Sequence, residues 1–179
     1  KTLTDLGLTS EDSKELFSER TRDNENLPVW RDKLSKVIYI NEYYVGDDEY
    51  VKSQYNEKLS VASGATNLEE QRNLDRRLTA YEHLGRNKNV CDFGCGAGLF
   101  IEAISSRCAS VIGVDLQEQH ITNLKQKGIQ CVDSIEKIDD DSIDLLVSFH
   151  VIEHLPDPIS TLKALNKKLR SGGTMLVEV

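Results

Sequence analysis

A glycine-rich turn with an acid in front of it is the segment of this chain best suited to chemistry. Gly94, Gly96 and Gly98 alternate after Asp92, and glycines permit the backbone angles and close ligand approach that a binding turn needs. The carboxylate of Asp92 disfavours a diphosphate and favours the ammonium group of an amino-acid tail. A dinucleotide site needs the spacing G-x-G-x-x-G, and here Leu99 stands where the third glycine belongs.

A second reactive segment is His150-Val-Ile-Glu153-His154. Its pattern fits H-x-x-E-H, the inverted zinc-protease signature. That signature needs both histidines on one helix, whereas Pro156 and Pro158 follow at once and interrupt any helix. No metal ligation is therefore predicted. The other histidines considered, His83 and His120, are interpreted as surface residues or residues that interact with a helix dipole.

The elements that position these residues follow from apolar patterning after residue 85. The predicted strands are Asn89–Phe93, Ser110–Asp115, Ile129–Val132, Asp144–Phe149 and Thr174–Val179, with a turn at Gly172-Gly173 before the last. The predicted helices between them are 98–107, 118–127 and 158–170. Strands that alternate with helices require crossover connections and a parallel sheet. The predicted fold class is α/β: a doubly wound, mostly parallel sheet with helices on both faces, which binds ligands at its carboxyl edge.

The chain is predicted to consist of a partly helical lead or cap, 1–65, and an α/β domain, 66–179. The lead contains a β-prone run at Val37–Ile40 and a predicted helix over Glu49–Leu59. The domain begins with a helix, for which Thr66 and Glu69 form a capping-box pattern. Its apolar residues recur at three- and four-residue spacing, at Leu74, Leu78, Tyr81 and Leu84, and Gly85 ends it.

Five segments in order resemble the motifs of class I S-adenosylmethionine-dependent methyltransferases. Asp92–Gly98 is similar to the first motif and Val111–Asp115 to the second. Segments that begin at Cys131, Ser148 and Leu169 are similar to the motifs near strands three, four and five. The resemblance covers roughly residues 85–179 and implies a Rossmann-like methyltransferase fold, from which the strands after strand five are missing here.

The resemblance implies S-adenosylmethionine as cofactor and assigns residues to it. Asp115 would accept hydrogen bonds from the ribose hydroxyls, and Asp92 would attract the methionine ammonium. The full set assigned to cofactor binding is Asp92, Gly94, Cys95, Gly96, Gly98, Asp115, Leu116, Asp133, Ser134, Phe149 and His150. Structural alternatives remain open, since Asp115 and the Asp133-Ser134 pair are also ordinary helix caps and Asp92 could bond only turn amides.

Glu153 and His154 have two further interpretations, in which they are either catalytic or an anchor for their loop. Some relatives that methylate quinone precursors bind a divalent metal through Glu-x-x-Glu-His at this place, but this chain has His150 instead of the first Glu. Sugar-modifying relatives place a general base near this loop, a role that His154 could fill.

The lead weakly resembles leaders of methyltransferases encoded among surface-polysaccharide genes. In such proteins the residues before strand one often cover the cofactor. On this resemblance Tyr50 and Tyr55 could shield the sulfonium by cation–π contact, and Arg72 could pair with the methionine carboxylate. The alternative is that these residues are packing aromatics and a solvated helix charge.

Composition narrows the function classes. The chain has 179 residues, 22 Lys plus Arg against 30 Asp plus Glu, and a formal net charge of -8, which disfavours nucleic acid and anionic membranes as partners. No apolar run has the ~20 residues of a membrane span, and no signal peptide is evident. The four cysteines lack zinc-site spacing and favour a reducing, cytoplasmic location.

These observations predict an enzyme that transfers a methyl group to a small-molecule acceptor, such as a nucleotide-linked sugar or polysaccharide precursor. The alternatives are an NAD-linked oxidoreductase on the same plan and a non-catalytic cofactor-binding fragment. The last alternative arises because the apolar run Met175–Val179 ends the sequence in mid-strand, which suggests a piece of a longer polypeptide.

Overall fold

The computed structural model describes residues 2–21, 24–41 and 64–179, without the side chains of residues 2 and 64–67. The chain forms two compact units, 1–45 and 46–179. The predicted division between 65 and 66 stays a prediction. The predicted helix over Glu49–Leu59, which includes Tyr50 and Tyr55, lies outside the described residues.

The first unit contains a small antiparallel sheet. Helix α1 (Thr2–Asp5) precedes β1 (Lys14–Ser18), β2 (Val29–Asp32) and β3 (Ile38–Ile40), which pair in the order β1-β2-β3. The β-prone run at Val37–Ile40 is thus confirmed as β3. The other two strands were not predicted, because charged residues interrupt Lys14–Ser18 and Val29–Asp32 and leave no run of apolar or β-branched residues.

The second unit is a five-stranded sheet in which every pairing is parallel. Its strands are β4 (Asn89–Phe93), β5 (Ser110–Val114), β6 (Gln130–Val132), β7 (Ile143–Phe149) and β8 (Leu169–Glu178). Its helices are α2 (Gly64–Tyr81), α3 (Leu99–Ile104), α4 (Glu118–Gln126) and α5 (Pro158–Lys168). The order β6-β5-β4-β7-β8 reverses direction between β4 and β7, the switch point at which open α/β sheets form a ligand crevice.

Helices cover both faces of this sheet, as predicted. Val90, Leu145 and Val147 lie on one face and pack against α2 and α3, whose apolar residues include Leu74, Leu78, Phe100 and Ile104. Cys91 and Leu146 point to the opposite face, where they pack with Leu165 of α5. Strands that are buried on both faces explain why their sequences read as continuous apolar runs.

Several predicted boundaries were wrong by a few residues, among them the end of the helix predicted over 98–107, since α3 ends at Ile104 and a 3-10 turn continues to Arg107. Helix α2 begins at Gly64, so Thr66 lies inside it, and α5 ends at Lys168 instead of Arg170. Strand β8 begins at Leu169, which pairs with Ile143, and the register then jumps to the pair Thr174–Leu145. The predicted turn at Gly172-Gly173 is therefore an irregularity within a strand, because pairing with the start of β7 extends β8 backwards.

None of the described helices combines the length and apolar character needed to cross a bilayer.

Gly98 allows close packing between α3 and α4. It is the N-cap of α3 at a φ of 75°, and a Cβ there would lie 2.4 Å from Cδ2 of Leu124 in α4. Leu124 is fully buried, so it cannot move aside without opening the core. The glycine is therefore required both by backbone conformation and by space.

We expect Gly98→Ala to lower the free energy of unfolding by about 2–4 kcal/mol, as the sum of left-handed backbone strain and overpacking. The matched control is Gly128→Ala, at a φ of 78° with no atom within 4 Å of the added Cβ, which should cost only about 1–2 kcal/mol. Urea unfolding of both variants measures the difference. Equal losses would show that contact with Leu124 does not matter.

Candidate cofactor site

Backbone hydrogen bonds fasten the glycine turn to the neighbouring strand. The amides of Gly94 and Cys95 both donate to the carbonyl oxygen of Val114, at 2.8 and 3.0 Å. The amide of Gly96 donates to Oδ2 of Asp115 at 2.8 Å. Since β4 and β5 are parallel and in register up to their last residues, the turn and Asp115 lie at the same edge of the sheet.

The carboxylate of Asp115 is held in place by several neighbouring hydrogen-bond donors. Its Oδ1 accepts from the amide of Gln117 at 2.9 Å and lies 3.1 Å from Nδ1 of His120. Burial acts to raise the pKa of Asp115, but the hydrogen bonds from His120, Gln117 and Gly96 outweigh it and the pKa is lowered. An ionised carboxylate offers about four acceptor positions, so capacity remains on Oδ2 for a ligand hydroxyl.

His120 is a site residue that the sequence interpretation missed. The sequence predicts a surface or dipole-satisfying side chain here, yet only 15% of the side chain is exposed and it contacts Asp115. Its position in the first turn of α4, five residues after Asp115, is a signal that could have identified it. The imidazole holds Oδ1 and thereby orients the carboxylate.

Asp92 is the opposite case, a buried carboxylate without a donor. It is 3% exposed, and among residues 2–21, 24–41 and 64–179 no hydrogen-bond donor reaches its side chain. Burial raises the pKa of Asp92 to about 7, Arg77 acts to lower it and Asp115 to raise it. An ammonium group placed here would supply both the missing donor and the missing positive charge.

These residues fit S-adenosylmethionine. Asp92 suits its ammonium group, and Asp115 suits a hydroxyl pair. A Cβ on Gly96, at a φ of 53°, would have no atom within 4 Å, so space for a ligand remains beside the turn. Leu116, 59% exposed, adds an apolar surface next to Asp115.

Asp133 and Ser134 have structural partners. The carboxylate of Asp133 lies 2.8 Å from Nζ of Lys137. The hydroxyl of Ser134 accepts from the amide of Glu136 at 3.4 Å and caps the short 3-10 turn Ile135–Lys137. The capping role that the sequence left open is therefore present, and contact with an adenine ring stays a prediction.

Phe149, at the carboxyl end of β7, belongs to an aromatic group with a cation on its face. Its ring centroid is 5.0 Å from that of Phe100 in an edge-on arrangement and 6.3 Å from that of Tyr81. The guanidinium carbon of Arg77 lies 4.4 Å from the Phe149 centroid. The charge of Arg77 also acts on Asp92, whereas Arg72, predicted to pair with the methionine carboxylate, is an exposed residue of the same helix.

Glu178, at the end of β8, forms ion pairs with two arginines of α2, Arg76 and Arg77. Its Oε1 accepts from Nη2 of Arg76 and Nη2 of Arg77, both at 2.7 Å, and lies 3.3 Å from Nε2 of His150. Hydrogen bonds from Arg76 and Arg77 lower the pKa of Glu178 to about 2, against the opposing effect of burial. The backbone amide of His150, a residue at a φ of 55°, also donates to the Glu178 carbonyl at 2.7 Å. His150 is therefore tied to β8.

Glu153 and His154 lie in a 3-10 turn, Ile152–His154, that begins after His150. Nδ1 of His150 is 3.4 Å from Oε1 of Glu153. The two histidines do not share a helix, which agrees with the rejection of a protease signature. In the described part of the chain no group of three or more His, Cys, Asp and Glu side chains could hold a metal ion.

Comparisons with known proteins agree with this geometry. A family model described as a methyltransferase domain matches residues 66–179. The chain is similar to the ubiquinone biosynthesis O-methyltransferase of Idiomarina loihiensis, at 39% identity over 97 residues, which is 48% of this chain and 40% of that protein. The protein of the same name from Marinobacter nauticus is 33% identical over 102 residues, 50% of this chain and 43% of that protein.

A solved structure supports the fold. The S-adenosylmethionine-dependent methyltransferase from Mesorhizobium loti aligns with a TM-score of 0.52 at 22% identity, covering 58% of this chain and 53% of that one. This likeness confirms the Rossmann-like fold predicted from the alternating strands and helices. The chain spans about two fifths of the length of the curated relatives that it matches.

The buried carboxylate gives a testable pH dependence. Since the pKa of Asp92 is raised from 3.8 to about 7, its proton stabilises the fold below about pH 4, and this stabilisation is lost as the pH rises to about 7. We therefore expect Asp92→Asn to be more stable than wild type by about 2–4 kcal/mol at pH 8, with a difference that shrinks towards pH 4.

Urea unfolding of wild type and Asp92→Asn across this pH range measures the effect. Asp139→Asn, a change at an exposed carboxylate, is the control and should show no such divergence. A stability difference that does not change with pH would contradict a raised pKa at Asp92.

Proposed function

The chain belongs to the family of methyltransferase domains, with S-adenosylmethionine as its cofactor, and on this premise we propose that it methylates an oxygen atom of a small-molecule acceptor. The observation that carries the proposal is the pair of carboxylates, Asp92 and Asp115, on neighbouring strand ends beside an open glycine turn. The curated relatives support oxygen as the accepting atom, since both are named O-methyltransferases.

The chain's own residues divide the work of binding. Asp115, held by Gly96, Gln117 and His120, would accept the ribose hydroxyls. Asp92 would bind the ammonium group. The turn residues Gly94, Cys95, Gly96 and Gly98 would lie against the ligand, with Leu116, Asp133 and Ser134 on its adenine side and Phe149 and His150 at the border towards the acceptor.

Bound S-adenosylmethionine supplies a methyl group already activated by its sulfonium. The protein therefore contributes mainly alignment of the acceptor and exclusion of water. A hydroxyl acceptor must also lose a proton, and His154 is the proposed general base, with Glu153 beside it in the same turn. In the alternative, both residues only anchor the loop, and loss of His154 would then lower stability and affinity with little change in kcat.

Two acceptor classes are to be compared. The names of the relatives favour a hydroxyl on a ubiquinone precursor, and the weak resemblance of the lead to surface-polysaccharide enzymes favours a nucleotide-linked sugar. We propose the first as the leading class, because the stronger similarity covers the domain that carries the site. The net charge of -8 disfavours RNA and DNA as acceptors.

Cofactor binding is tested by titration calorimetry with S-adenosylhomocysteine. We expect micromolar affinity, about -8 kcal/mol, for wild type and a loss of roughly 10–100-fold for Asp115→Asn, because one charged acceptor of hydroxyl hydrogen bonds is removed. Asp139→Asn should bind like wild type. Binding of NADH in place of S-adenosylhomocysteine would instead support the oxidoreductase alternative.

Catalysis by His154 is tested with methylation assays on hydroxylated ubiquinone precursors and nucleotide sugars. For a general base, His154→Ala should lower kcat by about 10²–10⁴-fold and leave the affinity for S-adenosylhomocysteine unchanged. His83→Ala, which removes an exposed histidine in the 3-10 turn Glu82–Gly85 after α2, is the control. Reduced stability and affinity with little change in kcat would show that His154 only anchors the loop.

A further inference from the structure

Two cysteine thiols meet directly behind the glycine turn. Sγ of Cys95 lies 3.9 Å from Sγ of Cys131, the middle residue of β6. Cys131 is fully buried, and Cys95 is partly exposed. The other two thiols are placed differently, since Cys91 packs on the opposite face of the sheet and Sγ of Cys108 bonds the Ile104 carbonyl.

The backbone holds these two sulfurs together. Cys131 pairs with Gly113 of β5, and the amide of Cys95 is bonded to Val114, the next residue of that strand. A Cβ on Gly113 would lie 2.8 Å from the sulfur of Cys95 and 3.2 Å from that of Cys131. The sulfurs thus occupy the space that a side chain on Gly113 would fill, and strand pairing fixes their approach.

We propose that Cys95 and Cys131 are a modification site, at which a peroxide oxidant forms a disulfide that closes the cofactor site. The effect on cofactor binding rests on the proposed function, whereas formation of the disulfide does not. One thiol is oxidised to a sulfenic acid as the O–O bond of hydrogen peroxide breaks and one water leaves. The second sulfur then displaces the sulfenic hydroxyl, which leaves as a second water, so two thiols and one peroxide give one disulfide and two waters.

Two properties of the pair favour this reaction. Cys95 is the partly exposed sulfur and hence the one that hydrogen peroxide reaches first, although its hydrogen bond to Cys131 and its burial raise the pKa of its thiol, so we expect this first oxidation to be slow at neutral pH. The hydrogen bond from Cys95 lowers the pKa of the Cys131 thiol, which favours the thiolate that attacks a sulfenic acid.

The disulfide would alter the site because of where Cys95 lies. An S–S bond measures about 2.05 Å, so the sulfurs must approach well within the present 3.9 Å. Cys95 stands between Gly94 and Gly96, whose amides hold the turn to Val114 and Asp115. Pulling Cys95 towards β6 shifts the Gly96 amide relative to Asp115, on the surface where the cofactor would lie.

The test treats the reduced wild-type protein with hydrogen peroxide, with and without saturating S-adenosylhomocysteine. Mass spectrometry of unreduced peptides should show a bond between Cys95 and Cys131, and bound S-adenosylhomocysteine should slow its formation by covering the turn. Calorimetry should then show at least roughly tenfold weaker binding of S-adenosylhomocysteine to the oxidised protein, restored by dithiothreitol. Cys108→Ser should behave as wild type, and Cys131→Ser, or Cys95→Ser where the first does not fold, should form no such bond.

Each outcome separates the claims. If the folded wild type forms no bond between Cys95 and Cys131 under peroxide, the modification site is wrong. If the bond forms and affinity does not change, its effect on the cofactor site is wrong. If the reduced protein never binds S-adenosylhomocysteine, the proposed function fails, while the peptide mapping still decides whether the disulfide forms.

Discussion

The hydrogen bond from the Gly96 amide to the Asp115 carboxylate is the contact on which the candidate site depends. It joins the turn after β4 to the end of β5 at 2.8 Å. It can form because the two strands are parallel and end at the same height. The same contact leaves Gly96, beside which an added Cβ would meet no atom within 4 Å, at the carboxyl edge where the reversal of strand order opens a crevice. The thiol pair and the packing of Gly98 on Leu124 involve residues of the same turn.

The two carboxylates at this edge, Asp92 and Asp115, have pKa values that their surroundings shift in opposite directions. Asp115 receives several donors and its pKa is lowered, whereas burial raises the pKa of Asp92 to about 7. Arg77, the cation that acts on Asp92, is already committed to Glu178 and to the ring of Phe149. The carboxylate of Asp92, next to the turn, therefore has no cation paired with it among the residues that the structure describes. A ligand with an ammonium group supplies that cation, and a diphosphate does not.

The sequence predicted the domain of parallel strands closely because each signal there is local. Strand Asn89–Phe93 is confirmed residue for residue, since an apolar run flanked by polar and glycine residues has one reasonable interpretation in a crossover fold. What the sequence could not supply were contacts between distant segments. Glu178 accepts hydrogen bonds from Arg76 and Arg77, which lie about a hundred residues earlier in the chain. The start of β8 at Leu169 is likewise visible only from its pairing with Ile143. His120 was missed because helical spacing alone does not show that a first-turn side chain reaches back to the preceding strand.

The loop after β7, which is proposed to face the acceptor, is held by contacts other than those around Asp115. His150 is bound to Glu178 through both its backbone amide and its ring, and Glu178 is in turn bound by α2. The loop with Glu153 and His154 thus takes its position from β8 and α2, and the glycine turn packs on the same loop, since a Cβ on Gly94 would meet the side chain of Val151. Arg77 of α2 likewise acts on both Glu178 and Asp92. Changes in α2 or β8 can accordingly move the proposed base and the turn together, so variants at the partners of Glu178 must be measured for cofactor affinity as well as for methylation.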